Sequence, residues 1–227
     1  MKPVISLRIG ASYRSLILFP MPRTKSSQRW LARNARDKYV KRARQEGVRS
    51  RATYKLEEID RRDRLLRPGM TVVDLGAAPG GWSQYVKSRV GDTGRVLALD
   101  ILPMEPIVGV EFIEGDFTEQ PVLDSLISHL GGKPADLVIS DMAPNMTGVA
   151  SVDQARSMNL AELALDFADK SLKPGGLLLI KTFQGAGFNE FHAQLRCRFE
   201  KLATRKPPAS RTESKEIYLL GRGFRGV

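Results

Sequence analysis

Residues 71–86, TVVDLGAAPGGWSQYV, decide the fold. Thr71 to Leu75 are apolar or β-branched apart from one aspartate, and read as a buried strand. Gly76 to Gly81 then turn the chain, and Trp82, Tyr85 and Val86 lie on the helix that follows. A strand entering a helix through glycines lets the backbone approach a ligand closely, and the helix N-terminus favours a carboxylate or phosphate. A dinucleotide-binding turn needs its second glycine where Ala78 stands, and Pro79 changes the turn again. For Asp74 and Gly76 alone, a plain tight turn is the competing explanation.

Outward from this unit the pattern repeats. Strands are predicted at 95–100, 110–114, 136–140 and 176–182, and helices near 118–130, 153–172 and between 187 and 199. Segments 200–206 and 215–221 read as a terminal strand pair. Upstream, a helix opens at Asp37 and stops at Gly47. A second runs from about Ser50, with Ala52, Leu56, Ile59 and Leu66 at helical spacing, to Pro68 and Gly69. Alternating strands and helices imply an α/β domain with a mainly parallel sheet covered on both faces. Ligands of such sheets lie beyond the carboxyl ends of the strands, where Gly76, Asp100, Asp141 and Lys181 fall.

Charge is segregated along the 227 residues, whose net charge is +11. Residues 1–67 hold 19 Lys/Arg against 6 Asp/Glu, residues 68–195 hold 8 against 16, and residues 196–227 hold 9 against 3. Basic flanks around an acidic middle point to a polyanionic partner. A single cysteine, Cys197, excludes an internal disulfide framework and suits a reducing cytoplasm. Two histidines and no Cys-x-x-Cys pair argue against a zinc site, and no stretch is apolar enough to cross a bilayer. Residues 1–26 are expected to be a disordered or mis-assigned extension, with Met21 as the natural start, and 27–227 a single domain with basic N-terminal helices.

The run 71–86, together with SDMAPNMTG at 140–148, KTFQG at 181–185 and SRATYKLEEI at 50–59, resembles the FtsJ-type ribose 2′-O-methyltransferases. The likeness extends from about Ser27 to Leu220. It is greatest to members that methylate a uridine ribose of 23S ribosomal RNA in the large ribosomal subunit. The resemblance implies a Rossmann-like class I methyltransferase fold with seven strands, the last antiparallel. It also implies S-adenosylmethionine as cofactor and S-adenosylhomocysteine as product, with no metal needed; a cytoplasmic location follows from the cysteine usage, and a monomer is the default expectation.

Carried over by position, Gly80 and Trp82 border the cofactor's methionine end, Asp100 holds its ribose and Asp116 its adenine, and Asp141 lies near the sulfonium. Lys55, Asp141, Lys181 and Glu216 match the family's catalytic set, with Lys181 facing the attacking hydroxyl. Arg33, Arg36, Lys38, Lys41, Arg42, Arg44, Arg49, Arg51, Arg205, Lys206 and Arg211 are expected to meet RNA phosphate. Trp30 and Tyr54 are available for base stacking, with core packing the better expectation for each.

Each residue also has a plainer explanation. Lys181 could be an edge lysine that snorkels to solvent, Lys55 and Glu58 a surface pair, Asp141 and Asn145 a turn, and Glu216 a cross-strand partner. Open alternatives for the whole chain are a tRNA or cap ribose methyltransferase, a base methyltransferase, a non-catalytic RNA-binding assembly factor, and an NAD-dependent oxidoreductase.

Overall fold

The structure, a computed structural model, describes residues 37–212 and 214–226. The expectations for residues 1–26, Trp30, Arg33 and Arg36 lie outside these residues. Asp37 caps helix α1 (Lys38–Gln45), its side chain accepting from the Tyr39 N–H at 2.9 Å. Helix α2 (Thr53–Asp63) follows, then β1 (Thr71–Leu75), α3 (Gly81–Val90), β2 (Arg95–Asp100) and β3 (Val110–Glu114). The second half runs α4 (Gln120–Leu130), β4 (Ala135–Ser140), α5 (Ala150–Ser171), β5 (Leu172–Phe183), α6 (Phe188–Arg198), β6 (Phe199–Arg205) and β7 (Glu216–Phe224).

The seven strands form one sheet in the order β3-β2-β1-β4-β5-β7-β6. Strands β1 to β5 are mutually parallel, and β7 is antiparallel to both β5 and β6. Alternate strand residues feed two cores. Val73, Leu75, Leu99, Val138 and Ile180 pack with Leu126, Leu165 and Phe191 of α4, α5 and α6. Val72, Val96, Ile139, Leu179 and Leu220 pack with Leu56, Ile59, Trp82 and Val86 of α2 and α3. Helices therefore cover both faces, and the predicted mainly parallel α/β sheet is the one observed.

Two predicted boundaries shift by four residues or more. Helix α2 ends at Asp63 rather than at Pro68, because Arg64 is left-handed (φ 52°). The buried Asp60 carboxylate replaces the lost helical acceptors, taking the Leu65 and Leu66 N–H groups at 2.8 and 2.9 Å. Leu66 still reaches the core, from the turn. Strand β5 begins at Leu172, four residues before the predicted 176. A register shift opposite Ala135–Leu137 absorbs Lys173–Gly176, and regular pairing resumes at Leu177.

This topology positions the chemistry. The carboxyl ends of β1, β2 and β4 deliver Gly76, Asp100 and Asp141 to one edge, where β5 places Lys181. Because β7 runs the other way, its start lies at that same edge, with Glu216 opposite Phe183 and Tyr218 opposite Lys181.

Candidate active site

A cleft of about 750 Å³ opens beyond β1, β2 and β4, with Gly76, Asp100, Asp116, Asp141, Asn145 and Arg156 on its wall. Gly76 has φ +78°, and a Cβ there would stand 2.6 Å from Met142 Cγ, so only glycine lets the two loops meet. The Asp100 carboxylate is oriented by two backbone donors, Ala78 N–H to Oδ2 and Leu102 N–H to Oδ1, both at 2.8 Å. Asp116 Oδ1 accepts from the Thr118 N–H (2.9 Å) and hydroxyl (2.7 Å), which hold its carboxyl below the usual carboxylate range.

Gly80 and Trp82 stand differently. Gly80 caps α3 at φ +101°, and a Cβ there would come within 2.8 Å of Ile107 Cδ1 and Met104 Sδ. Trp82 is buried. Its indole N–H donates to Ala52 O at 2.7 Å, and its ring lies 5.8 Å from that of Tyr218. Neither residue is on the wall of the cleft.

The four residues matched to the catalytic set meet at the rim. Lys181 Nζ lies 2.9 Å from Asp141 Oδ1 and also donates to Asp141 O. Lys55 Nζ lies 2.8 Å from Glu216 Oε1 and 3.9 Å from Asp141 Oδ1. Both lysines are over 90% buried, at 8% and 9% exposure, which lysine tolerates only with partners such as these. Burial by itself raises the Asp141 carboxyl. The Lys181 and Lys55 charges, with hydrogen bonds from Lys181 and Tyr218, more than offset it and hold the group below the usual range. Lys181 is thus not a snorkelling edge lysine, and Asp141 is more than a turn residue.

Sequence reasoning missed Tyr218. Its fully buried phenol donates to Asp141 Oδ1 at 2.7 Å, and burial together with the Asp141 and Glu216 charges pushes its pKa well above the usual value. The signal was available: two residues past Glu216 on one strand means the same face. Arg156 and Asn159, contributed to the cleft by α5, carried no comparable signal.

The basic flanks divide into two groups. Arg49 is spent on the carbonyls of Glu105 (2.5 Å) and Pro106 (2.7 Å), and Arg51 on Asp37 (2.9 Å) and Ala209 O (2.5 Å). Arg42 pairs with Glu46 at 2.8 Å, Arg205 with Asp63 at 2.7 Å, and Lys206 Nζ donates to Ser214 O at 2.6 Å. Among the described residues of the N-terminal flank, Arg42, Arg49 and Arg51 are therefore structural. Lys38, Lys41, Arg44 and Arg211 form no ion pair among the described residues. Tyr54 packs inside, its hydroxyl donating to Glu46 Oε2 at 2.8 Å.

Among the described residues no group of three His, Cys, Asp or Glu could hold a metal, and no helix is long and apolar enough to cross a membrane. A family model described as FtsJ-like methyltransferase matches residues 48–224. The ribosomal RNA large subunit methyltransferase E of Stenotrophomonas maltophilia is 62% identical over 203 residues, covering 89% of this chain and 97% of that protein. Its namesake in Xanthomonas oryzae pv. oryzae gives the same identity and coverage, 62%, 89% and 97%. A crystal structure from Plasmodium falciparum, described as a ribosomal RNA methyltransferase, superposes with a TM-score of 0.72. It shares 30% identity, and the match covers 79% of this chain and all of that one.

Proposed function

The chain belongs to the FtsJ-like methyltransferase family, and from that premise we propose that it methylates the ribose 2′-hydroxyl of a uridine in 23S ribosomal RNA, with S-adenosylmethionine as donor. The observation that carries this reading is the Lys181–Asp141–Lys55–Glu216 cluster, which shares Asp141 with the cleft.

The cleft suits that donor. Asp100, Asp116 and Asp141 give a wall of carboxylates suited to a cation, and Gly76 leaves room for close backbone approach. Asp100, with both oxygens oriented, would hold the ribose hydroxyls, and Asp116 the adenine end. Gly80 and Trp82, at the start of α3, would shape the methionine end, where a helix N-terminus favours a carboxylate. Bound there, S-adenosylmethionine supplies an electrophilic methyl group on a cationic sulfur.

Catalysis by the chain itself then rests on alignment and charge. Asp141 engages two of the three N–H donors of the Lys181 ammonium and leaves one for the incoming ribose oxygen. That donor orients the hydroxyl and would stabilise negative charge on the oxygen as its proton passes to water and the methyl group moves from sulfur to oxygen, the S–CH₃ bond breaking to leave S-adenosylhomocysteine. Lys55, tied to Glu216, supplies a second positive charge beside Asp141 and helps place the ribose. Tyr218 fixes the carboxylate on which both lysines depend. Alignment of this kind lowers a barrier by about 7–11 kcal/mol in favourable cases.

RNA would be drawn in by Lys38, Lys41, Arg44 and Arg211, which form no ion pair among the described residues, through phosphate contacts that weaken with salt. The 2′-hydroxyl itself restricts the substrate to RNA. Acting on ribosomal RNA of the large subunit, the protein would work in the cytoplasm as a monomer. Mass spectrometry of nucleosides from that RNA, with and without this gene, tests the proposal. Loss of one 2′-O-methyluridine is expected, and an unchanged ribose-methylation profile refutes it.

A further inference from the structure

Among the large apolar side chains exposed on the surface, Ile101 and Leu102 (both 61% exposed) line the cleft, where its occupant would cover them. Met146 (65%), Val149 (54%) and Val152 (40%) do not line it, so cofactor binding leaves them bare. All three lie between Asp141 and Gln154, on the segment that joins β4 to the first turn of α5.

This segment is held at both ends against the active site. Asp153 gathers the loop, accepting from the Thr147 N–H (2.7 Å) and hydroxyl (2.8 Å) through Oδ1 and from the Gly148 N–H (3.1 Å) through Oδ2. The Val149 N–H donates to Thr147 Oγ1 at 3.2 Å. Gln154 Nε2 then donates to Phe183 O (3.2 Å) and Ala186 O (2.9 Å), tying the start of α5 to the strand end that carries Lys181. The chain thus leaves one catalytic residue, Asp141, and is fastened two residues beyond another. An apolar ridge held this firmly and left open to water marks a binding surface rather than a flexible loop.

The kind of partner follows from position. Val152 and Arg156 are four residues apart on one helical face, and Arg156 lies on the cleft wall, so the ridge adjoins the cleft and carries a cation beside its apolar surface. Apolar area next to one positive charge matches a nucleobase and its phosphate. A ribose seated at Lys181 carries a base one glycosidic bond away, and RNA read as single strand rests its unstacked bases on protein side chains.

We propose that Met146, Val149 and Val152 form a shelf for the base of the methylated nucleotide. The inference rests on the ribose-methylation reading above and deepens it. The shelf holds the nucleotide by its base while the Lys181 cluster holds the sugar, and its apolar contact is insensitive to salt.

The test pairs two proteins with two RNAs: wild type and a Met146→Ser, Val149→Ser, Val152→Ser triple variant, each on normal RNA and on RNA abasic at the target, whose ribose keeps its 2′-hydroxyl. On normal RNA the variant should lose about tenfold in kcat/KM, within the range for one base contact. On abasic RNA the wild type should fall by a similar factor, and the variant should fall no further. Binding of S-adenosylmethionine should be unchanged, and Met146→Leu, which keeps an apolar side chain there, should retain more activity on normal RNA than Met146→Ser. Met146→Ser alone should show a smaller loss of the same pattern. Equal losses on both RNAs, or no loss on normal RNA, overturn the shelf while wild-type methylation continues. A wild-type methyl found on a base instead of the ribose overturns the underlying reading, and nucleoside analysis distinguishes the two failures.

Discussion

Helix α2 carries an ion cluster at each end, each with one aspartate between two cations, yet only one of them, which also holds Glu216, opens on the cleft. At its C-terminal end Asp63 receives Arg205 through two parallel bonds, Nε to Oδ2 and Nη2 to Oδ1, both at 2.7 Å. Arg222 adds a donor to the Asp63 carbonyl and lies 3.9 Å from Oδ1. Both carboxylate oxygens are occupied, and a guanidinium does not give up its proton, so the cluster fastens α2 to β6 and β7. At the N-terminal end Lys55 meets Asp141, whose Oδ1 takes Lys181 and Tyr218 as well. Among the described residues none donates to Oδ2, and Asp141 lies on the cleft wall. Lysine carries a compact charge with rotatable donors and can exchange a proton. The difference lies in the type of cation, in whether the carboxylate is saturated, and in which edge of the sheet is served.

The largest test of this contrast removes the cation at the chemical end. Lys181→Ala should lower single-turnover methyl transfer by about 10³-fold, within the span for loss of one charge-stabilising donor. S-adenosylmethionine affinity by calorimetry should stay within a few-fold. Near-normal turnover by this variant would remove Lys181 from the mechanism. Asp63→Ala should do the reverse, costing about 3 kcal/mol in urea unfolding because two guanidinium groups lose their partner. Methyl transfer per folded molecule should fall little. A large loss of kcat with unchanged stability would erase the distinction between the clusters.

A third aspartate sharpens the comparison. Asp74 is fully buried, and among the described residues no cation pairs with it. Burial pushes its carboxyl up to about 7 against a hydrogen bond from Ser83 at 2.6 Å, whereas Arg205 and the two lysines hold Asp63 and Asp141 low. Raised in the folded state, Asp74 contributes stability fully below about pH 4, and that contribution is lost as pH rises through 7. Asp63 and Asp141, depressed, stabilise above pH 4 and lose that contribution only in stronger acid. Between pH 5 and 8 the wild type should therefore lose about 3 kcal/mol relative to Asp74→Asn. Parallel stability curves for the two proteins would contradict this assignment. The smallest effect belongs to Arg205→Lys, which keeps the charge but gives up the fork. Destabilisation by about 1 kcal/mol with normal activity is expected from thermal melts.

Much of the architecture could be read directly from residue order. Strands β1 and β2 fall on the predicted residues because Val72–Leu75 and Val96–Leu99 are continuous buried runs inside a sheet covered on both faces, and β3, a partly exposed edge strand, is marked by Val110, Phe112 and Ile113 between glutamates. The missed end of α2 shows the limit of such reading. Leu66 continues the helical spacing of Leu56 and Ile59, but Asp60 captures the Leu65 and Leu66 N–H groups and a left-handed Arg64 breaks the helix. That competition depends on burial of Asp60, which spacing does not encode. The basic flank is similar: charge counts point to a polyanionic partner, yet whether Arg51 meets phosphate or Asp37 depends on which side chains fold beside it.

By itself the sequence determined the alternation of strands and helices, the glycine turn after β1, and the chemical identities of Lys55, Asp141, Lys181 and Glu216, because these follow from local patterning and residue type. Tertiary structure alone decided that the four converge. Lys181 and Glu216 share an edge only because β7 runs antiparallel to β5. Lys55 reaches Glu216 only because α2 packs over that end of the sheet, with Asp63 fastened to the arginines of β6 and β7. Electrostatic coupling falls with distance in space, not along the chain, so a charge becomes catalytic only where folding brings its partners within a few ångströms.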